Sequence, residues 1–141
     1  MKIVICGSLK FAKKINKIKE QLTAMNHEVL LPASIEKFGT EVEKLKNNKK
    51  IYFKIAPSYF KKHFDKIADS DAILVVNLEK NGIENYIGGN TFAEIMLAFY
   101  LNKKVFLLNP IPTDEKLSFI TDEIEAIKPI ILNGNLNLIS D

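Results

Sequence analysis

Apolar residues along this chain fall into two alternating patterns. Short apolar runs stand at 2–6 (KIVIC), 28–31 (EVLL), 72–76 (AILVV), 104–108 (KVFLL) and 130–132 (IIL). Brief runs of this kind, bounded by turn residues, are strand signals. Between them apolar positions return at helical spacing. Ile15, Ile18, Leu22 and Met25 predict a helix over 9–25, ended by Asn26. Phe60, Phe64 and Ile67 predict another, with Pro57 in its first turn. Residues 88–102 predict a third, and Leu117, Ile120, Ile124 and Ile127 a last one. The stretch 35–55 is less regular. Thr40-Glu41-Val42-Glu43 has the form of a capping box and predicts a helix start near 41.

Strands that alternate with helices and are themselves apolar imply a parallel sheet covered on both faces. The 72–76 run is apolar throughout and is expected at the centre; 130–132 is expected at an edge. In such sheets ligands bind beyond the carboxyl ends of the strands. The residues there are Gly7 and Ser8, Asn77, Asn109 and the turn Gly88-Gly89-Asn90. Small and amide residues thus gather on one edge, as a polar small-molecule site requires.

Composition narrows the class. A chain of 141 residues fits one domain, 1–141, with one sizeable core. No run is long enough to span a bilayer, and the four-residue apolar start is too short for a signal peptide. With a single cysteine no internal disulfide or cysteine-rich metal site is expected, and a cytoplasmic location is. The net charge is +3, and every one of the twenty basic residues is lysine. Without an arginine fork, specific nucleic-acid reading is not expected. Eight lysines between Lys44 and Lys66 face one acid, Asp65; they form a solvated face or a lure for an anionic substrate.

Three constellations carry candidate chemistry. Glu94 is the one charge within 91–102 and follows a glycine-rich turn. Thr91 to Glu94 also has capping-box form, so Glu94 is either a cap or a carboxylate set in an apolar pocket behind ligand-facing amides. Gly7-Ser8-Leu9-Lys10 stands at the first strand-to-helix turn, where Ser8 and Lys10 are either anion ligands or an ordinary cap and a solvated lysine. His63 shares a helix face with Phe60, Phe64 and Ile67, as a packed core histidine would; Cys6 reads as a small buried hydrophobe and Asp71 as a turn residue. No convincing metal-ligand set stands out, and no cofactor motif is present.

Three segments together resemble the nucleoside 2-deoxyribosyltransferase-like superfamily, which includes deoxynucleoside 5′-monophosphate N-glycosidases. They are Ile5-Cys6-Gly7-Ser8-Leu9-Lys10, Ala68 through Val76, and 88-GGNTFAE-94 followed by Asn102-Lys103-Lys104-Val105. The resemblance covers roughly residues 2–110. It implies a flavodoxin-like, Rossmann-like three-layer α/β sandwich with a mostly parallel five-stranded sheet. It further implies a homodimer or larger assembly and cleavage or transfer at the N-glycosidic bond of a nucleoside or nucleotide, without a cofactor. The family's catalytic glutamate falls on Glu94 and its first-loop residues on Gly7, Ser8 and Lys10. A family active-site aspartate falls on His63, with Asp65 two residues on. Where the monophosphate branch has arginine this chain has Lys10, and where members carry Asp or Ser six positions before the glutamate it has Gly88. The same 88-GGNTFAE-94 turn is also similar, more weakly, to the signature of cytokinin-activating phosphoribohydrolases. The competing expectation is a non-catalytic nucleotide-binding or sensor module.

Overall fold

The computed structural model describes residues 1–140. Its strands are β1 (Lys2–Gly7), β2 (Glu28–Leu30), β3 (Ala72–Val76), β4 (Lys104–Leu107) and β5 (Ile130–Ile131). They form one sheet in the order β2-β1-β3-β4-β5, and every pairing is parallel. β3 lies at the centre with all its residues buried, and the two-residue β5 lies at an edge. Parallel neighbours require crossovers, which the helices supply. These are α1 (Ala12–Ala24), α2 (Ala33–Phe38), α3 (Val42–Asn47), α4 (Lys49–Ala68), α5 (Gly89–Tyr100) and α6 (Ser118–Ala126).

The side-chain parity of the strands divides the core in two. Ile3, Ile5, Leu74 and Phe106 face Ile15, Ile18 and Leu22 of α1. Val4, Cys6, Ile73, Val75 and Leu107 face Ile67 of α4, Ile95 and Ala98 of α5, and Ile120 and Ile124 of α6. This is a flavodoxin-like α/β sandwich. The chain winds outward from β1 to β2 and then returns across β1 to β3. The carboxyl ends of β1 and β3 therefore flank the topological switch point, where such folds open a crevice. Those ends stay close because Gly7 pairs with Val76, and a Cβ on Gly7 would stand 3.0 Å from the Val76 carbonyl oxygen.

Several local expectations need correction. Pro57 is not in a first turn but in the interior of the 20-residue α4, which starts at Asn48. The Asn48 side chain accepts from the Ile51 N–H and supplies the start signal. Pro57 removes the bond to the Phe53 carbonyl, but both residues are exposed, so the freed carbonyl lies on the solvent side. The Thr40 capping box does not form. Gly39–Glu41 make a 3₁₀ turn, and α3 starts behind Glu41 without a side-chain cap. The short α2 had no sequence signal of its own beyond Pro32 before it, and Gly39 at φ 58° separates it from α3. The first helix opens as a 3₁₀ turn, Leu9–Phe11, capped by the Ser8 side chain, and Asn26 at φ 67° ends it as expected. No described helix is long and apolar enough to cross a membrane.

Candidate active site

α5 begins one turn earlier than a Thr91 cap would place it. Its N-cap is Gly88, which has no side chain to cap with, and Thr91 is buried inside the first turn. Glu94 is therefore not the arm of a capping box. Its helix face turns toward the sheet and α4, and there it meets His63. His63 Nε2 lies 2.9 Å from Glu94 Oε2, with 5% of each side chain exposed. Cys6, on the strand face that looks the same way, brings Sγ to 3.4 Å from the same Nε2.

The shared nitrogen limits what these three can do. An acyl-transfer relay needs nucleophile and orienting acid on opposite nitrogens of the ring. Here both approach Nε2, and Nδ1 is buried with no hydrogen-bond partner among the described residues. Burial, and then the neighbouring Glu94, push the Cys6 thiol well above its ordinary range. Cys6 is thus a protonated thiol, unsuited to be a nucleophile. Glu94 is the group with open access, because His63 and Glu94 both line a cavity of about 140 Å³.

The cavity sits at the switch point. Gly7, Ser8 and Leu9 after β1 form one side, and Gly88, Gly89, Asn90 and Thr91 at the start of α5 form another. α4 contributes Tyr52, Ala56, Tyr59 and Phe60 along with His63, and Tyr86 comes from the loop before α5. These rings give the apolar, planar walls that a flat heterocycle stacks on. Lys46 and Lys80 supply the positive charge. Lys80 Nζ donates to Ser8 Oγ at 3.1 Å and lies 4.8 Å from the centre of the Tyr86 ring. Its ammonium is held below the ordinary lysine range, first by partial burial and then by Lys46 and Lys10, with Glu43 opposing.

The residues named from sequence divide into two sets. Glu94, His63, Gly7, Ser8, Gly88, Gly89 and Asn90 come together around the cavity. Asp65 does not: it is exposed on α4, and two residues along a helix is roughly 200° around it. Lys10 is exposed and lies 3.4 Å from Asn81 Oδ1, outside the lining. Asn77 and Asn109 are structural. The Asn77 side chain donates to the Asn109 and Pro110 carbonyls and accepts from the Asn109 N–H, while Asn109 Nδ2 donates to the Asn77 carbonyl. This stitches the ends of β3 and β4, occupies both ends of the Asn77 amide, and places neither residue in the lining of the cavity.

Sequence reasoning missed Tyr52, Tyr59, Tyr86, Lys46, Lys80 and the place of Cys6. Tyr52, Ala56, Tyr59, Phe60 and His63 do form one helical stripe, but it is visible only if the helix is read through Pro57. Gly88 has its own explanation. A Cβ there would stand 3.2 Å from the Tyr86 hydroxyl, so the tyrosine fills the room beside it.

No family model matches the chain, and no curated protein matches it. Among solved structures it is similar to a 2-deoxyribosyltransferase from the psychrotolerant bacterium Bacillus psychrosaccharolyticus. That similarity has a TM-score of 0.59 at 20% identity, over 93% of this chain and 98% of the other, and is one of fold. The flavoenzyme NAD(P)H:(acceptor) oxidoreductase FerB from Paracoccus denitrificans is more distant, with a TM-score of 0.43 at 14% identity over 92% and 74% of the two chains.

Proposed function

We propose that this protein is a member of the nucleoside 2-deoxyribosyltransferase-like superfamily that breaks the N-glycosidic bond of a (deoxy)nucleoside or its 5′-monophosphate, with Glu94 as the attacking carboxylate. The observation that carries the reading is the Glu94 carboxylate itself. It is buried, held by His63, and open to a cavity with aromatic walls and a cationic side. The fold shared with a 2-deoxyribosyltransferase supports it.

In this mechanism the base stacks among Tyr52, Tyr59, Phe60 and Tyr86. A Glu94 oxygen bonds to C1′ as the C1′–N bond breaks, and that electron pair leaves with the base. The base takes up one proton, from a protonated His63 or from water. The glycosyl ester on Glu94 is then opened by water, which gives hydrolysis, or by a second base, which gives transfer. His63 holds the carboxylate in place through Nε2. It takes the position that the resemblance assigns to an aspartate. Gly88 takes the position that the resemblance gives to Asp or Ser, and the Tyr86 hydroxyl beside it is suited to hydrogen-bond the sugar. Ser8 with Lys80 and Lys46 receives the 5′ end, and their charge favours a phosphate there.

The test is release of free base from a panel of nucleosides and 5′-monophosphates, followed chromatographically. Wild type should release base and Glu94→Gln should not. Binding of a nucleotide without any turnover would instead favour the sensor reading. Self-association belongs to the same proposal. Phe99 and Tyr100 at the end of α5 are 50% and 79% exposed, an apolar surface suited to a second copy. Light scattering that returns a monomer at micromolar concentration would remove that part.

A further inference from the structure

We propose that Cys6, His63 and Glu94 form an exchangeable binding site for a soft divalent metal ion of the zinc type, and that the ion competes with substrate for the Glu94 carboxylate. The competition rests on the function proposed above; the metal site does not.

The three residues come from β1, α4 and α5, are all buried, and bring one ligand atom each to within 4.8 Å of one another. A zinc ion sits about 2.3 Å from thiolate sulfur and roughly 2.0–2.2 Å from imidazole nitrogen or carboxylate oxygen. Tetrahedral edges between such ligands are roughly 3.3–3.6 Å long. The Sγ to Nε2 separation of 3.4 Å already matches. The Nε2 to Oε2 separation of 2.9 Å is a hydrogen bond and has to open by a few tenths of an ångström. The widest pair of ligand atoms, 4.8 Å apart, has to draw in by about 1 Å as the Cys6 and Glu94 side chains turn toward the ion. The donor set is one thiol, one imidazole and one carboxylate, which suits zinc and its relatives rather than magnesium or calcium.

Hydrogen bonding leaves this cluster underserved. Nε2 carries at most one hydrogen, and Glu94 and Cys6 both approach it. A single cation between the three atoms would serve all of them. His63 and Glu94 also line the cavity, so an ion held there keeps an open coordination position and a route of entry. Binding balances as follows. The Cys6 Sγ–H bond breaks, its proton goes to the buffer, and a sulfur–metal bond forms. In a neutral His63 ring the Nε2 proton relocates to Nδ1, freeing Nε2 as the ligand. No electron changes hands. Nδ1 has no partner among the described residues to orient the ring. Losing that outer bond typically weakens a site by about 10–100-fold, so this one exchanges its ion rather than keeping it.

The probe is cobalt(II), added to the metal-free full chain and read by absorption. The chain has one cysteine, so a thiolate-to-cobalt band in the near ultraviolet reports this site alone. The expected result is a band that saturates at one equivalent and is discharged by zinc. It should vanish in Cys6→Ser, and in Glu94→Gln it should need at least tenfold more cobalt. Circular dichroism checks that each variant folds; if Cys6→Ser does not, Glu94→Gln alone decides. Absence of the band at excess cobalt, or equal cobalt affinity in Glu94→Gln, overturns the site. Loss of base release in the wild type would sink the proposed function and leave the cobalt result standing. Zinc that binds without lowering base release overturns the competition.

Discussion

His63 Nε2 and Glu94 Oε2 stand 2.9 Å apart with both side chains almost fully enclosed. A buried carboxylate deprived of its partner costs about 3–5 kcal/mol, whereas removing both members costs much less. His63→Ala should therefore unfold at clearly lower denaturant than wild type, and His63→Ala/Glu94→Gln should recover a large part of the loss. Equal midpoints for the single and double variants would show that the two residues are not coupled. Glu94→Gln alone should cost little stability while removing turnover, which separates this arrangement from a helix cap.

The position of Pro57 gives a second expectation. Proline inside a helix costs about 3 kcal/mol relative to alanine when nothing compensates. Pro57 sits in α4 with its ring and the facing Phe53 exposed, so alanine would fit and restore a backbone bond. Pro57→Ala should raise the melting temperature, with a gain of up to about 3 kcal/mol. A drop would mean that the proline shapes α4 to hold Tyr52 and His63 on the same cavity wall.

How much of this was visible in the sequence depends on the range of the signal. The five strands and their order of burial were legible because strand runs are local: AILVV could only be central, and IIL could be an edge. The glycine turn and Glu94 were legible because the fold class alone places strand ends on one side of the sheet. The site's walls were not. Cys6 and His63 are separated by 57 positions and meet only because strand parity and the α4 face agree. Lys80 reads as one more surface lysine until the β3–α5 loop folds it onto Ser8. Asn77 and Asn109 misled for the opposite reason: their place at the strand ends was right, but their side chains bond the backbone of the neighbouring strand end and stay outside the cavity lining.

Glycine substitutions test the crevice itself. A Cβ at Gly7 meets the Val76 carbonyl oxygen at 3.0 Å, which is backbone in the sheet's centre and cannot easily yield. Gly7→Ala should cost about 1–3 kcal/mol, as overpacking does. A Cβ at Gly89 meets nothing within 4 Å, and the residue opens α5. Gly89→Ala should be neutral or stabilising by up to about 1 kcal/mol, yet it narrows the approach to the amides of the turn. Thermal melts and substrate KM, measured on both variants, should therefore move in different ways: stability falls in the first, and KM rises in the second with stability kept.

Lys80 carries the last expectation. Partial burial, Lys46 and Lys10 all disfavour its charge, and the weaker pull of Glu43 opposes them. A lysine whose folded pKa is depressed binds fewer protons folded than unfolded, so stability rises with pH. The rise falls in the alkaline window just below the ordinary lysine range. The penalty is therefore present at neutral pH, and Lys80→Met should relieve it: the variant should melt slightly higher at pH 7 and lose the alkaline gain. An anion beside Ser8 reverses the balance, because it favours the charged lysine. Inorganic phosphate should thus raise the wild-type melting temperature and leave Lys80→Met nearly unmoved. The same charge should sort substrates. Charge-assisted hydrogen bonds are each worth roughly 1.5–3 kcal/mol, so kcat/KM for a 5′-monophosphate should fall at least tenfold in Lys80→Met. The unphosphorylated nucleoside should be much less affected. Lys10, exposed and outside the cavity, should matter far less in Lys10→Ala. If Lys10→Ala loses the monophosphate and Lys80→Met does not, the phosphate is held at the outer edge of the first loop. If both substrates fall equally in Lys80→Met, the lysine supports the Tyr86 wall rather than an anion.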